Sequence, residues 1–203
     1  MPVFFAYFQL GFHHIVSPQA TDHLAFLLAL CAPFAASDWR RLLALVTSFT
    51  IGHSLTLALA VTGWLAVPVA WVEALIPVTV MVTALVNFGR AGRAAGVGSQ
   101  AVAGERGGVV ATPANALALG FGLVHGLGFS NYLRALLGSA AQPLGELFAF
   151  NLGVEAGQLV VVGCVVGLSA LATCGLGVSR RAWLLAASGV ALGVAGLLLA
   201  QLR

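Results

Sequence analysis

Histidine and carboxylate side chains interrupt stretches of this sequence that are otherwise apolar. These side chains can ligate divalent transition metals or transfer protons. A charged group at mid-bilayer costs about 2.5–3.5 kcal/mol on insertion scales, so ionisable residues there usually face the interior of a helix bundle and mark an ion or proton path. The ionisable residues within or at the mouths of the apolar stretches are Asp22, His23, His53, Glu73, His125 and Glu155.

The composition identifies the class of protein. Of the 203 residues, 60% are hydrophobic and 7% are charged, whereas soluble domains carry roughly 25% charged residues. The chain is therefore expected to be an integral membrane protein. Nucleic-acid binding is excluded, because the net charge of +3 comes from arginines in separate loops and not from one basic face.

The apolar stretches predict an all-α, polytopic transmembrane bundle of about six spans, forming one membrane domain over residues 1–203. The N-terminal run from Val3 to Val16 is short for a crossing and fits a re-entrant or interfacial segment. The Gly- and Ala-rich residues 91–111 predict a flexible cytoplasmic loop. The predicted spans are Thr21 to Ala36, Arg41 to Val61, Val69 to Phe88, Pro113 to Leu137, Pro143 to Cys174 and Arg181 to Leu202.

Arginines fall in alternate loops, which predicts the orientation. By the positive-inside rule these loops are cytoplasmic, so both termini are expected outside and the number of spans is even. The ionisable residues then lie in the outer half of the bundle or near its midplane. The loop arginines are Arg40 and Arg41, then Arg90, Arg93 and Arg106, then Arg180 and Arg181.

The histidines and carboxylates could converge on one divalent transition-metal site. Imidazole suits nickel, cobalt, zinc and iron, and carboxylates neutralise the charge of the ion. Asn151 and Gln158 share a helix face with Glu155, so they are expected to support the ligands, as is Ser54 beside His53. Capping of a helix start by Asp22 is the competing structural explanation for that residue.

Five local motifs carry a resemblance to a known family. They are G-F-H-H-I (11–15) with T-D-H-L-A-F (21–26), F-T-I-G-H-S-L-T-L-A (49–58), V-E-A-L-I (72–76), G-L-V-H-G-L-G-F (122–129) and F-N-L-G-V-E-A-G-Q (150–158). In this order they resemble the HupE/UreJ family across nearly every span.

The resemblance implies a small multi-pass protein of the bacterial inner membrane, a secondary permease for nickel or cobalt. It maps the first family motif, a histidine followed by Asp-His, onto His14, Asp22 and His23. The segment between His14 and Asp22 departs from the family pattern, which has a shorter turn with a glycine. The expected metal ligands are His14, Asp22, His23, His53, Glu73, His125 and Glu155.

Several functions remain open at this point. The expected function is a transporter with the metal ion as its substrate, the lipid bilayer as its surroundings and a homo-oligomer or accessory subunits as candidate partners. The alternative is an intramembrane hydrolase that uses the same cluster to hold zinc, with a glutamate as general base. A haem protein ligated by His53 and His125, or a subunit whose polar residues only join helices, would also use these residues.

Overall fold

The computed structural model describes residues 3–96, 112–137 and 143–202. These residues form seven α-helices and no β-strand, which confirms the predicted all-α bundle. A π-helical turn, Leu171–Gly175, continues the sixth helix. The helices are Val3–Val16 (α1), Thr21–Cys31 (α2), Trp39–Val61 (α3), Val69–Gly96 (α4), Pro113–Leu137 (α5), Pro143–Ala170 (α6) and Arg180–Gln201 (α7).

The bundle is a membrane protein by the length and the surface of its helices. Large apolar side chains such as Leu55, Phe148 and Leu168 are more than half exposed, and lipid is the solvent that suits such a surface. Helices α1 and α2 are apolar but shorter. Within the part of the chain that the structure describes, four helical segments are long and apolar enough to cross a membrane: Ala36–Val61, Val69–Gly92, Leu144–Gly175 and Arg180–Gln201.

Two predicted boundaries differ from the structure. The first predicted span ends at Cys31 instead of Ala36, because Pro33 has no backbone N–H to continue the helix. Helix α4 runs to Gly96 instead of Phe88, so the first residues of the predicted 91–111 loop are helical. The rest of that loop, 97–111, lies outside the described residues.

Helices α1 and α6 form a close parallel pair. A Cβ atom on Gly153 would overlap the carbonyl oxygen of Phe8, and one on Gly157 would lie 3.0 Å from that of Phe12. The contact moves forward by four residues on both helices, from Gly153 to Gly157 on α6 and from Phe8 to Phe12 on α1, so the two helices run parallel. The N-terminal segment is too short to cross a membrane alone, and it packs within the bundle along α6.

Helices α3 and α5 repeat this arrangement. A Cβ atom on Gly122 would overlap the carbonyl oxygen of Phe49, and one on Gly126 would overlap that of His53. The two helices are therefore also parallel, and small residues let their backbones meet, as is common in membrane bundles. Because His53 lies at this contact, the glycines of α5 set its position.

Helix α2 follows a different course from α1. It packs mainly against α4 and α7 and also touches α6, whereas α1 packs along α6 and makes few contacts with α2, so the two short helices do not lie side by side. Asn87 of α4 joins this group, since its Nδ2 donates to the backbone oxygen of Ala29 at 2.7 Å and to Ser188 Oγ at 3.1 Å. The turn 17–20 is therefore a break between two helical segments, of about 21 and 16 Å.

We predict that Gly122→Ala destabilises the protein, because the added methyl group would push α5 away from the backbone of α3. Overpacking of this kind costs about 1–3 kcal/mol in the free energy of unfolding. Gly120→Ala is the matched control two residues away, where a Cβ atom meets nothing within 4 Å. Thermal unfolding of both variants in detergent checks this, and equal melting temperatures would contradict the role of the contact.

Candidate metal centre

Four imidazoles and one carboxylate meet where the break between α1 and α2 faces the middle of α3 and α5. The ring centroid of His23 lies 4.7 Å from that of His14, 5.0 Å from that of His125 and 6.5 Å from that of His53. The ring centroids of His14 and His53 are 6.1 Å apart. Asp22 completes the set through a contact with His23. Residues distant in sequence therefore form one cluster, which we call the histidine cluster.

Three histidines of the cluster are buried in apolar surroundings, whereas His14 and Asp22 are partly exposed. The exposed fraction is 4% for His23, 0% for His53 and 1% for His125. Aromatic rings enclose the cluster, with Phe129 4.1 Å from His14 and Phe49 5.3 Å from His125 between ring centroids. Such surroundings strengthen electrostatic interactions and make an unpaired polar atom costly.

Several ring nitrogens of this cluster have no hydrogen-bond partner. Most buried polar atoms in proteins do have one, so a group of unpaired buried nitrogens calls for an explanation. A divalent cation among them would bind the free lone pairs. The buried, unpartnered atoms are His14 Nε2, His23 Nε2, His53 Nδ1, His53 Nε2 and His125 Nδ1.

Asp22 fixes the protonation of His23. Its Oδ1 lies 3.0 Å from His23 Nδ1, and since a carboxylate only accepts, Nδ1 carries the proton. His23 Nε2 then has a free lone pair for a metal, as in the carboxylate–histidine–metal arrangement of many metal sites. The competing explanation is not supported, because the N-cap of α2 is Ala20 and no side chain caps this helix.

Thr79 fixes the position of the proton on His125 in a similar way. This residue is not among those that the sequence predicts for the site. The Thr79 hydroxyl donates to the backbone oxygen of Ile76 at 2.7 Å, and its oxygen lies 3.1 Å from His125 Nε2. Because the one hydroxyl proton is already used, the oxygen accepts from Nε2–H, which leaves the lone pair on Nδ1. No motif marks Thr79, since threonine is ordinary within a span.

The candidate ligands fall into two overlapping groups. Within each group, one ligand atom from each residue lies within 4.8 Å of the others. Donor atoms around a tetrahedral ion with bonds near 2.1 Å are roughly 3.4 Å apart, so a modest closure would complete either group. One group is His14, His23 and His53, and the other is Asp22, His23 and His125.

The two expected glutamate ligands lie elsewhere. Glu73 is exposed near the start of α4, and Glu155 is partly exposed on α6, where its Oε1 accepts from Thr47 Oγ1 at 2.9 Å. Neither belongs to the ligand groups found among the described residues. The structure therefore brings together five of the seven expected ligands.

The three residues expected to support the ligands differ in their surroundings. Asn151 lies beside His53, and its buried Oδ1 has no hydrogen-bond partner. Gln158 is fully buried and accepts from Thr50 Oγ1 at 2.7 Å, while its Nε2 is unpaired. Ser54 is half-buried next to His53. Asn151 and Gln158 therefore both lie against α3, Asn151 at His53 and Gln158 at Thr50.

Comparison with known proteins places this arrangement in a family. The family described as "HupE / UreJ protein" matches residues 1–201, which is nearly the whole chain. The chain belongs to the HupE/UreJ family. The match confirms the resemblance seen in the five motifs, and all the residues of the histidine cluster lie within it. In the comparisons with curated proteins and with solved structures, no significant match was found.

For this HupE/UreJ protein we predict that Thr79→Val weakens nickel binding about 10- to 100-fold, the usual effect of losing a partner that orients a ligand. Without the hydroxyl, His125 is free to place its proton on either nitrogen. Thr83→Val is the matched control, because the Thr83 hydroxyl donates to the backbone oxygen of Thr79 one turn away. Calorimetric titration of the purified variants measures both affinities, and equal affinities would refute the role of Thr79.

Proposed function

We propose that this protein is a secondary transporter, a permease, for a divalent transition-metal ion, with nickel or cobalt as its substrate. The observation that carries the proposal is the set of buried, unpartnered ring nitrogens that converge between α1, α2, α3 and α5. Membership of the HupE/UreJ family supports it.

The chemistry of the donors narrows the substrate class. Imidazole nitrogens favour ions such as nickel, cobalt and zinc, whereas calcium and magnesium prefer oxygen. The histidine cluster offers four imidazoles and a single carboxylate, Asp22. A divalent ion would thus keep part of its positive charge unneutralised in an apolar setting. This limits how tightly the ion is held, and a transporter must release its substrate.

The packing on both sides of the cluster also suits a transporter. On α3, the buried residues Leu42 and Val46 precede His53 and Leu57 follows it. On α6, Leu147 precedes Asn151, and Val161 follows it. Apolar side chains thus lie both before and after His53 and Asn151 along their helices. An ion at the histidine cluster can pass these apolar side chains only if helices move. Alternating exposure of an enclosed site is the usual scheme of secondary transporters.

Hydrolysis is the less favoured use of the same residues. A metallohydrolase needs a carboxylate beside the metal to act on the attacking water. Asp22 is already hydrogen-bonded to His23, and both glutamates lie outside the ligand groups. Transport needs no such base, and the sequence shows no P-loop that would bind nucleotide.

The proposal includes the location and the driving force. We place the protein in the bacterial inner membrane on the basis of its family, with both termini outside, as the arginines in alternate loops predict. Protons compete with the metal for imidazole nitrogens, so a lower pH on one side would favour release there. A proton gradient is therefore a suitable energy source.

Metal uptake into proteoliposomes tests this function, with nickel, cobalt and zinc offered separately. We expect saturable uptake of nickel or cobalt by the wild type. His14→Ala should reduce this uptake at least tenfold, because it removes a ligand; a tenfold change corresponds to about 1.4 kcal/mol. His13→Ala is the matched control, because His13 is exposed and lies outside both ligand groups.

The glutamates provide a second arm of the same experiment. We expect Glu73→Gln and Glu155→Gln to bind nickel with wild-type affinity, since neither carboxylate lies in a ligand group. Loss of binding in either variant would return that glutamate to the ligand set. A wild-type protein that binds nickel but never transports it would refute the permease and favour an enzyme.

A further inference from the structure

His23 is the only histidine of the cluster that contacts all the others. Among the described residues, ring contacts join His23 to His14, His53 and His125, whereas none joins His125 to His14 or to His53. The same residue is the one member common to both ligand groups. The cluster therefore consists of two sets of three residues, which we call triplets, and both sets include His23.

The two triplets differ in charge. The triplet of His14, His23 and His53 supplies imidazoles alone, and we call it the neutral triplet. The triplet of Asp22, His23 and His125 includes the carboxylate, and we call it the acidic triplet. A divalent ion would meet different electrostatic surroundings in each, although the two positions lie side by side.

Simultaneous occupation of both triplets is unfavourable. His23 has one free nitrogen, Nε2, because Nδ1 is engaged by Asp22. Two divalent ions would also repel each other strongly in an apolar interior with one carboxylate between them. The geometry accommodates one ion at a time.

The break in the first membrane segment separates the triplets mechanically. His14 is at the end of α1, which packs along α6, whereas His23 is at the start of α2, which packs against α4 and α7 in addition to α6. A movement at the turn 17–20 would change the distance between His14 and His23. Asp22 and His23 would move together, since both belong to α2.

We propose that the transported ion passes between the neutral and the acidic triplet, and that His23 holds it in both positions. This proposal rests on the proposed metal transport and adds a sequence of two binding positions to it. The ion exchanges His14 and His53 for His125 and Asp22 while its bond to His23 Nε2 persists, and Asp22 gives up its hydrogen bond from His23 Nδ1–H in order to reach the ion.

Nickel binding and nickel uptake by His14→Ala, His125→Ala, the double variant and His23→Ala test the exchange, with His13→Ala as the control. Each single variant keeps one complete triplet and loses a ligand of the other. We expect each to bind one nickel ion per chain about 10- to 100-fold more weakly, while uptake is lost. His23→Ala and the double variant should lose stoichiometric binding.

Cobalt absorption spectra provide a second readout, since the d–d bands depend on the ligands. With cobalt, His14→Ala should show the spectrum of the acidic triplet and His125→Ala that of the neutral triplet. His14→Gln and His125→Gln serve the same purpose if an alanine variant does not fold, because glutamine preserves much of the side-chain volume.

Three results would overturn the exchange. Two nickel ions per wild-type chain would indicate a dinuclear centre. Loss of binding in both single variants, as complete as in His23→Ala, would indicate one undivided site while leaving metal transport intact. A wild type that neither binds nor transports nickel would refute the proposed function itself, and the exchange with it.

Discussion

The enclosure of unpaired imidazole nitrogens in an apolar bundle is the constraint on which the rest of this structure depends. Each buried nitrogen without a partner costs free energy, and the cluster contains several of them within a few ångströms. A fold keeps such an arrangement only if other contacts compensate for it. The residues that orient His23 and His125 supply part of this compensation, and they leave His23 Nε2 and His125 Nδ1 without a hydrogen-bond partner.

Close packing of helix backbones supplies the rest of the compensating contacts. The parallel pairs α1/α6 and α3/α5 meet through glycines that allow almost no added atom, so the helices that carry His14, His53 and His125 are closely fixed. The apparent exception is the break between α1 and α2, where α1 packs along α6 while α2 packs against α4 and α7 in addition to α6. The candidate site therefore lies beside the break between two helices, next to the closely packed pairs.

The sequence predicted the helices well, because apolar length is a local property. It could not predict which face of a helix a residue occupies. Glu73 and Thr79 share α4, yet six residues turn the helix by about 240°, so Thr79 reaches His125 while Glu73 is exposed. The contribution of His14 likewise depends on how α1 packs, which its own motif does not reveal.

The environment of nickel bound to the purified wild-type protein tests the central claim most directly. X-ray absorption at the nickel edge distinguishes imidazole from water and carboxylate ligands by multiple scattering from the imidazole ring. The account predicts either three imidazoles or two imidazoles with a carboxylate, the compositions of the two ligand groups. A spectrum of oxygen ligands without imidazole would contradict it and would place the bound metal outside the histidine cluster.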